Sequence, residues 1–243
     1  MDLSIDLPVP TSALAIAAHP DDVEFGCGAT LAKWAASGCR IHHLICTDGS
    51  KGSWDPDEDI ARLVAIRQDE QRAASRLLGG TGDVTFLGWP DGSLEAGLPQ
   101  RWEVAYRIRK LRPDVVLGHD PWKRYRLHPD HRHAGFLATD GIVAARDPHF
   151  FPEQGEPPHR PTTLLLWEAD EPDHVEEVAG FAEAKLAALL AHRSQFRSTM
   201  GIDDPAARSE VDRFRQTVMA ELTDAGRPAG VGLGEAFKRM EHL

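Results

Sequence analysis

Hydrophobic positions in this chain fall into two patterns. Short, mostly apolar runs occupy 13–18, 41–46 (with His42 and His43), 84–87 (with Thr85), 114–117 (opening on Asp114) and 163–167 (opening on Thr163). They are too short for free-standing helices and lack apolar/polar alternation, which predicts strands buried on both faces of a parallel sheet. Between them, apolar residues recur every three or four positions, predicting helices over about 29–37, 59–78 and 100–111. A further helix carries Val178, Phe181, Ala182, Leu186, Leu189 and Leu190 on one face, and a polar helix is predicted over about 205–225. Strands alternating with helices predict an α/β fold: a Rossmann-like, mostly parallel sheet with helices on both faces. The chain reads as one domain, 1–243, with a core of about 11–196 and a helical extension of about 197–243 forming a small C-terminal lobe. Residues 1–10 read as a lead-in, 147–161 as an irregular excursion or lid, and 226–243, broken by glycine and proline, as a flexible or partner-contacting tail.

The first apolar run ends abruptly in His19-Pro20-Asp21-Asp22-Val23-Glu24. Pro20 disfavours helical geometry at His19, which places the imidazole at the carboxyl end of the strand, where ligands of open α/β sheets gather. Taken alone, Asp21 or Asp22 reads first as a cap of the following helix. A second stretch changes that balance: Arg126-Leu127-His128-Pro129-Asp130-His131 also follows an apolar strand and repeats His-Pro-Asp. In a first helical turn His128 and His131 share a face. Together the two stretches offer one Asp and two His to a metal, with acid and imidazole groups left over for proton transfer; catalytic zinc sites typically have three protein ligands and an open position.

Composition narrows the function classes. A chain of 243 residues with 42% hydrophobic content can bury a large core. Its net charge of -11 argues against nucleic acid or an anionic membrane as partner. Neither a secretory leader nor an 18-residue apolar run is present, so the expectation is a soluble cytoplasmic protein. Cys27, Cys39 and Cys46 are odd in number and show no Cys-x-x-Cys spacing, which disfavours both disulfides and cysteine ligation. The sequence lacks the P-loop and Rossmann glycine fingerprints, which disfavours a nucleotide-binding oxidoreductase.

The paired His-Pro-Asp motifs, with weaker agreement at Arg67-Gln68-Asp69-Glu70, Trp89-Pro90-Asp91-Gly92 and His192-Arg193-Ser194-Gln195, resemble the LmbE or PIG-L family of zinc-dependent N-acetylglucosaminyl deacetylases from about 13 to about 196. The resemblance implies that His19, Asp22 and His131 hold Zn2+ and that Asp21 is the general base. It implies also that protonated His128, oriented by Asp130, stabilises the oxyanion. The implied reaction is removal of an acetyl group from an N-acetylated sugar or glycoconjugate by attack of a zinc-activated water. Other divalent transition metals also suit such ligands. A zinc amidase acting on a larger acyl group or a non-sugar amide, and a non-catalytic sugar-binding protein, are the alternatives; a homo-oligomer is left open.

Other residues read two ways. Arg67 and Glu70 fall on the apolar face of the 59–78 helix, either as a brace or with Arg67 donating to sugar hydroxyls. Asp91 is a turn former or a sugar acceptor. Tyr125 or Trp122 is placed to stack on a sugar; Arg126 stands where some members of the family carry a tyrosine two residues before His128. His42 and His43 point to opposite strand faces and so cannot share a metal. His119 and His133 read as hydrogen-bonding or surface histidines, and His192 as a helix-end residue.

Overall fold

The computed structural model describes residues 3–243; residues 1 and 2 of the expected lead-in lie outside them. In chain order the elements are β1 (Ser4–Ile5), β2 (Ser12–Ala17), α1 (Asp22–Ala36), β3 (Arg40–Thr47), α2 (Ile60–Leu77), β4 (Val84–Trp89), α3 (Leu98–Leu111), β5 (Val115–His119) and α4 (Pro129–Arg146). They continue with β6 (Thr163–Trp167), β7 (His174–Glu177), α5 (Ala182–Leu189), α6 (Arg208–Gly226) and β8 (Gly234–Glu241). One eight-stranded sheet has the order β1-β7-β8-β6-β5-β2-β3-β4, parallel except for β8, which pairs antiparallel with β6 and β7.

The apolar runs form strands because both of their faces are covered. Ala13, Ala15 and Ala17 join one core cluster with Val23, Leu31 and Trp34 of α1, while Leu14 and Ile16 join another with Val104 and Ile108 of α3 and Leu137 and Ile142 of α4. A third cluster packs α5 against α6 through Leu186, Leu189, Phe214 and Val218. Chain order reverses at β2: β3 and β4 lie to one side, β5 and β6 to the other. The carboxyl ends of β2 and β5 therefore flank a topological switch point, where an open α/β sheet leaves its crevice.

Three expectations are corrected. The helix expected from about residue 29 starts at Asp22, and the non-helical Cys27 (φ -151, ψ 20) divides it. Beyond that break the amides of Ala29 and Thr30 donate to the Glu235 carboxylate at 3.1 and 2.7 Å, so a side chain from β8 caps the second helical piece. Lys185 neutralises Glu235 at 2.7 Å. The supposed tail thus contains β8, a strand held on both edges: its glycine and charged residues hide the pattern, and partners on both sides supply the ladder. The 147–161 segment is irregular, as expected, but is pinned by buried Arg109, which donates to the carbonyls of Asp147, Phe150 and Phe151.

Candidate metal centre

The turn after β2 and the start of α4 meet above the switch point. His19 Nδ1 lies 3.2 Å from His131 Nε2; Asp22 Oδ2 lies 3.4 Å from the former and its Oδ1 3.3 Å from the latter. One ligand atom from each of the three falls within 4.8 Å of the others, so this group could hold a metal ion. Two imidazoles and a carboxylate suit zinc or a neighbouring divalent transition metal.

The surroundings of His19 strengthen the fit. Its Nε2 lies 3.2 Å from Asp91 Oδ1 and 3.3 Å from Asp130 Oδ2. Two carboxylates at Nε2 place the proton there and leave the Nδ1 lone pair facing the cluster, the arrangement by which outer carboxylates orient a ligating histidine. Burial opposes charge on His19, yet Asp130, Asp22 and Asp91 together push its pKa well above the ordinary value. A cation bound at Nδ1 therefore displaces a proton. Asp22 is likewise buried, but the charges of His131 and His119 hold its carboxyl well below the usual range.

Asp21 points differently. Its backbone has φ 101, a left-handed conformation costly for a residue with a side chain. Three contacts hold it: the Asp21 amide donates to Gln71 Oε1 at 2.9 Å, Arg67 donates to the Pro20 carbonyl at 2.7 Å, and Arg67 Nη2 lies 3.5 Å from Asp21 Oδ2. Burial raises the Asp21 pKa to about 6, with Arg67 opposing and Asp22 adding to the rise. A carboxylate poised there can exchange protons near neutral pH. Asp91 is held at about 2 by His19 and the Lys51 amide in spite of burial.

The sequence-predicted residues divide clearly. His19, Asp21, Asp22, Arg67, Asp91, His128 and His131 all line one cleft of about 590 Å³, together with Lys51, His119, Glu168, Gln195, Thr199 and Glu221. Asp130 is buried beneath it, taken up by His19 and by the amides of Gly92 (2.6 Å) and Leu94 (3.2 Å); its hydrogen bonds orient His19 instead of His128. His128 stands at the open side, its imidazolium disfavoured by burial and by the charges of His19 and His131, so the protonated form expected from the sequence is not the favoured one. Tyr125 is 89% exposed and outside the cleft, and Trp122 packs edge-on to Phe136. A left-handed Tyr125 (φ 60) turns the next residue inward: buried Arg126 pairs with Glu168 at 2.8 Å and reaches His119 and His131. Arg67 and Glu70 brace α2 against neighbouring loops, as one of the two readings expected: Arg67 donates to the Gly49 and Pro20 carbonyls at 2.7 Å each, and Glu70 accepts from the Ser194 amide and hydroxyl.

Sequence reasoning underrated His119, Trp167 and Glu168. His119 closes the apolar β5 at its carboxyl end, and His19 stands just past the carboxyl end of β2, a parallel legible in the sequence. His192 is buried behind the site, 3.2 Å from Glu24.

Comparison with known proteins assigns the chain to one family. Residues 14–142 match the family described as PIG-L: GlcNAc-PI de-N-acetylase. A diacetylchitobiose deacetylase from Thermococcus kodakarensis is 35% identical over 186 residues, covering 75% of this chain and 69% of that protein. A 1D-myo-inositol 2-acetamido-2-deoxy-alpha-D-glucopyranoside deacetylase from Streptomyces avermitilis is 32% identical over 226 residues, covering 82% and 73%. The structure of an N,N'-diacetylchitobiose deacetylase from Pyrococcus horikoshii superposes with a TM-score of 0.85 at 29% identity, covering 96% of this chain and 84% of that one. Among the described residues, no helix is long and apolar enough to cross a membrane.

Proposed function

The chain belongs to the PIG-L family, and on that premise we propose that it is a metal-dependent hydrolase that removes the acetyl group from an N-acetylated sugar conjugate. The observation that carries this reading is the convergence of His19 Nδ1, Asp22 and His131 Nε2 beside a buried carboxylate, Asp21, whose pKa is raised to about 6. His19, Asp22 and His131 would hold the ion, zinc or a neighbouring divalent transition metal, either of which suits two imidazoles and a carboxylate. When bound, such an ion supplies Lewis acidity, which eases deprotonation of water near neutral pH and polarises an amide carbonyl.

This chain's own residues supply the rest. Ionised Asp21 takes a proton from the attacking water, held in place by Gln71 on its amide and Arg67 beside its carboxylate. His128, neutral at the rim of the cleft, donates a ring N–H to the developing oxyanion. As the tetrahedral intermediate collapses, Asp21 returns its proton to the departing nitrogen; the carbon–nitrogen bond breaks, giving acetate and a free amine. Asp130 and Asp91 act through His19. Lys51, Arg67, Gln195, Thr199 and Glu221, which line the cleft, give it donors and acceptors for sugar hydroxyls.

The test is acetate release from a panel of N-acetylated sugars, including N,N'-diacetylchitobiose and simple N-acetylglucosamine glycosides, with chelator-stripped protein before and after zinc is restored. Release that needs the metal is the expected result. Metal-independent release, or none from any N-acetylated sugar, contradicts the proposal.

A further inference from the structure

His119 lies outside the ligand set, yet both of its ring nitrogens are engaged. It ends β5, in register with Trp167 at the end of β6, so the two side chains stand side by side on one face of the sheet. Trp167 Nε1 lies 3.0 Å from His119 Nδ1. An indole N–H can only donate, so Nδ1 must accept, and in a neutral ring the proton is then on Nε2. Arg126 Nη1 lies farther from the same Nδ1, at 3.3 Å, and is shared with Glu168 and His131, so it favours the same tautomer without setting it by itself. His119 Nε2 in turn lies 3.2 Å from Asp22 Oδ2 and donates to it.

Asp22 Oδ2 also accepts the His19 amide at 2.7 Å. With two donors on Oδ2, the other oxygen, Oδ1, is left facing His131. We propose that His119 is a positioning residue for the metal: Trp167 sets its tautomer, and the resulting Nε2–H fixes Asp22 so that Oδ1 is presented to the ion. Gly26 belongs to the same device, since a Cβ there would stand 2.5 Å from the Trp167 ring and push the indole off His119. The inference rests on the reading of His19, Asp22 and His131 as the metal ligands.

The experiment measures zinc affinity, by competition with a chromophoric chelator, on the full chain. Outer-shell partners of metal ligands are typically worth about 10- to 100-fold in affinity. His119→Phe, which keeps a ring but has no N–H, is expected to lose affinity in that range. His119→Gln, whose amide can supply the donor at the Nε2 position regardless of tautomer, is expected to recover most of it. Trp167→Phe should weaken binding in the wild-type background and change nothing further in the His119→Gln background, whereas a purely structural role for the indole would cost the same in both. His19→Ala is the reference for the ligand set. If it abolishes binding while His119→Phe binds as wild type, or if Trp167→Phe costs equally in both backgrounds, the positioning role is overturned. If His19→Ala itself binds as wild type, the ligand reading beneath it fails instead.

Discussion

Asp130 Oδ2 lies 3.3 Å from His19 Nε2, which makes the acid of the second His-Pro-Asp motif a partner of the histidine of the first. The two motifs are thus joined twice, once where His19 and His131 face each other and once beneath, through this buried carboxylate. Asp130→Asn should therefore damage metal binding more than oxyanion stabilisation. The expected outcome is zinc affinity lowered by about 10- to 100-fold, with activity largely restored by excess metal. A variant with unchanged affinity and reduced kcat at saturating zinc would return Asp130 to His128.

Asp21 governs the acid side of the pH profile. Burial lifts its pKa to about 6, and only the ionised form can accept a proton, so kcat/KM should rise with pH and level off once Asp21 is ionised. A bound cation favours that ionised form, so the midpoint should fall at or below about 6. Asp21→Asn should keep its metal and lose at least about 100-fold in kcat. Retention of more than about a tenth of activity with full metal would remove Asp21 from the base's role.

The sheet and much of the site were legible in the sequence because they rest on local signals. Apolar runs mark strands buried on both faces, and of the two His-Pro-Asp stretches one marks a strand end and the other a helix start, both carrying chemistry. What escaped depends on pairing between distant segments. His119 acquires its role only because β5 lies beside β2 and β6, and β8 becomes a strand only because β6 and β7 offer edges to it. The inward turn of Arg126 follows from one left-handed residue, Tyr125, whose side chain is thereby sent outward; nothing in the composition of that loop announces the choice.

Arg126 offers a prediction of unusual sign. Its Nη1 lies 3.2 Å from His131 Nδ1, where a donor favours the tautomer with the proton on Nε2, the nitrogen that faces the other ligands. Its positive charge opposes a cation as well. Arg126→Met should tighten zinc binding, on the order of tenfold for loss of one nearby charge. Weaker binding would mean that its pairing with Glu168 chiefly keeps the centre in shape.

The C-terminal strand should matter to stability. Removing the carboxylate in Glu235→Ala uncaps the second piece of α1 and leaves buried Lys185 unpaired. Breaking a buried pair in this way costs about 3–5 kcal/mol, readable by denaturant unfolding. A loss below about 1 kcal/mol would show that β8 is held by its ladder alone.

The central claim is that side chains more than a hundred positions apart share one divalent ion. Anomalous diffraction at the zinc edge, on crystals grown with one equivalent of zinc, tests it most directly. The account predicts one strong peak coordinated by His19 Nδ1, Asp22 and His131 Nε2. A peak coordinated by other side chains, or none in zinc-loaded protein, would contradict it.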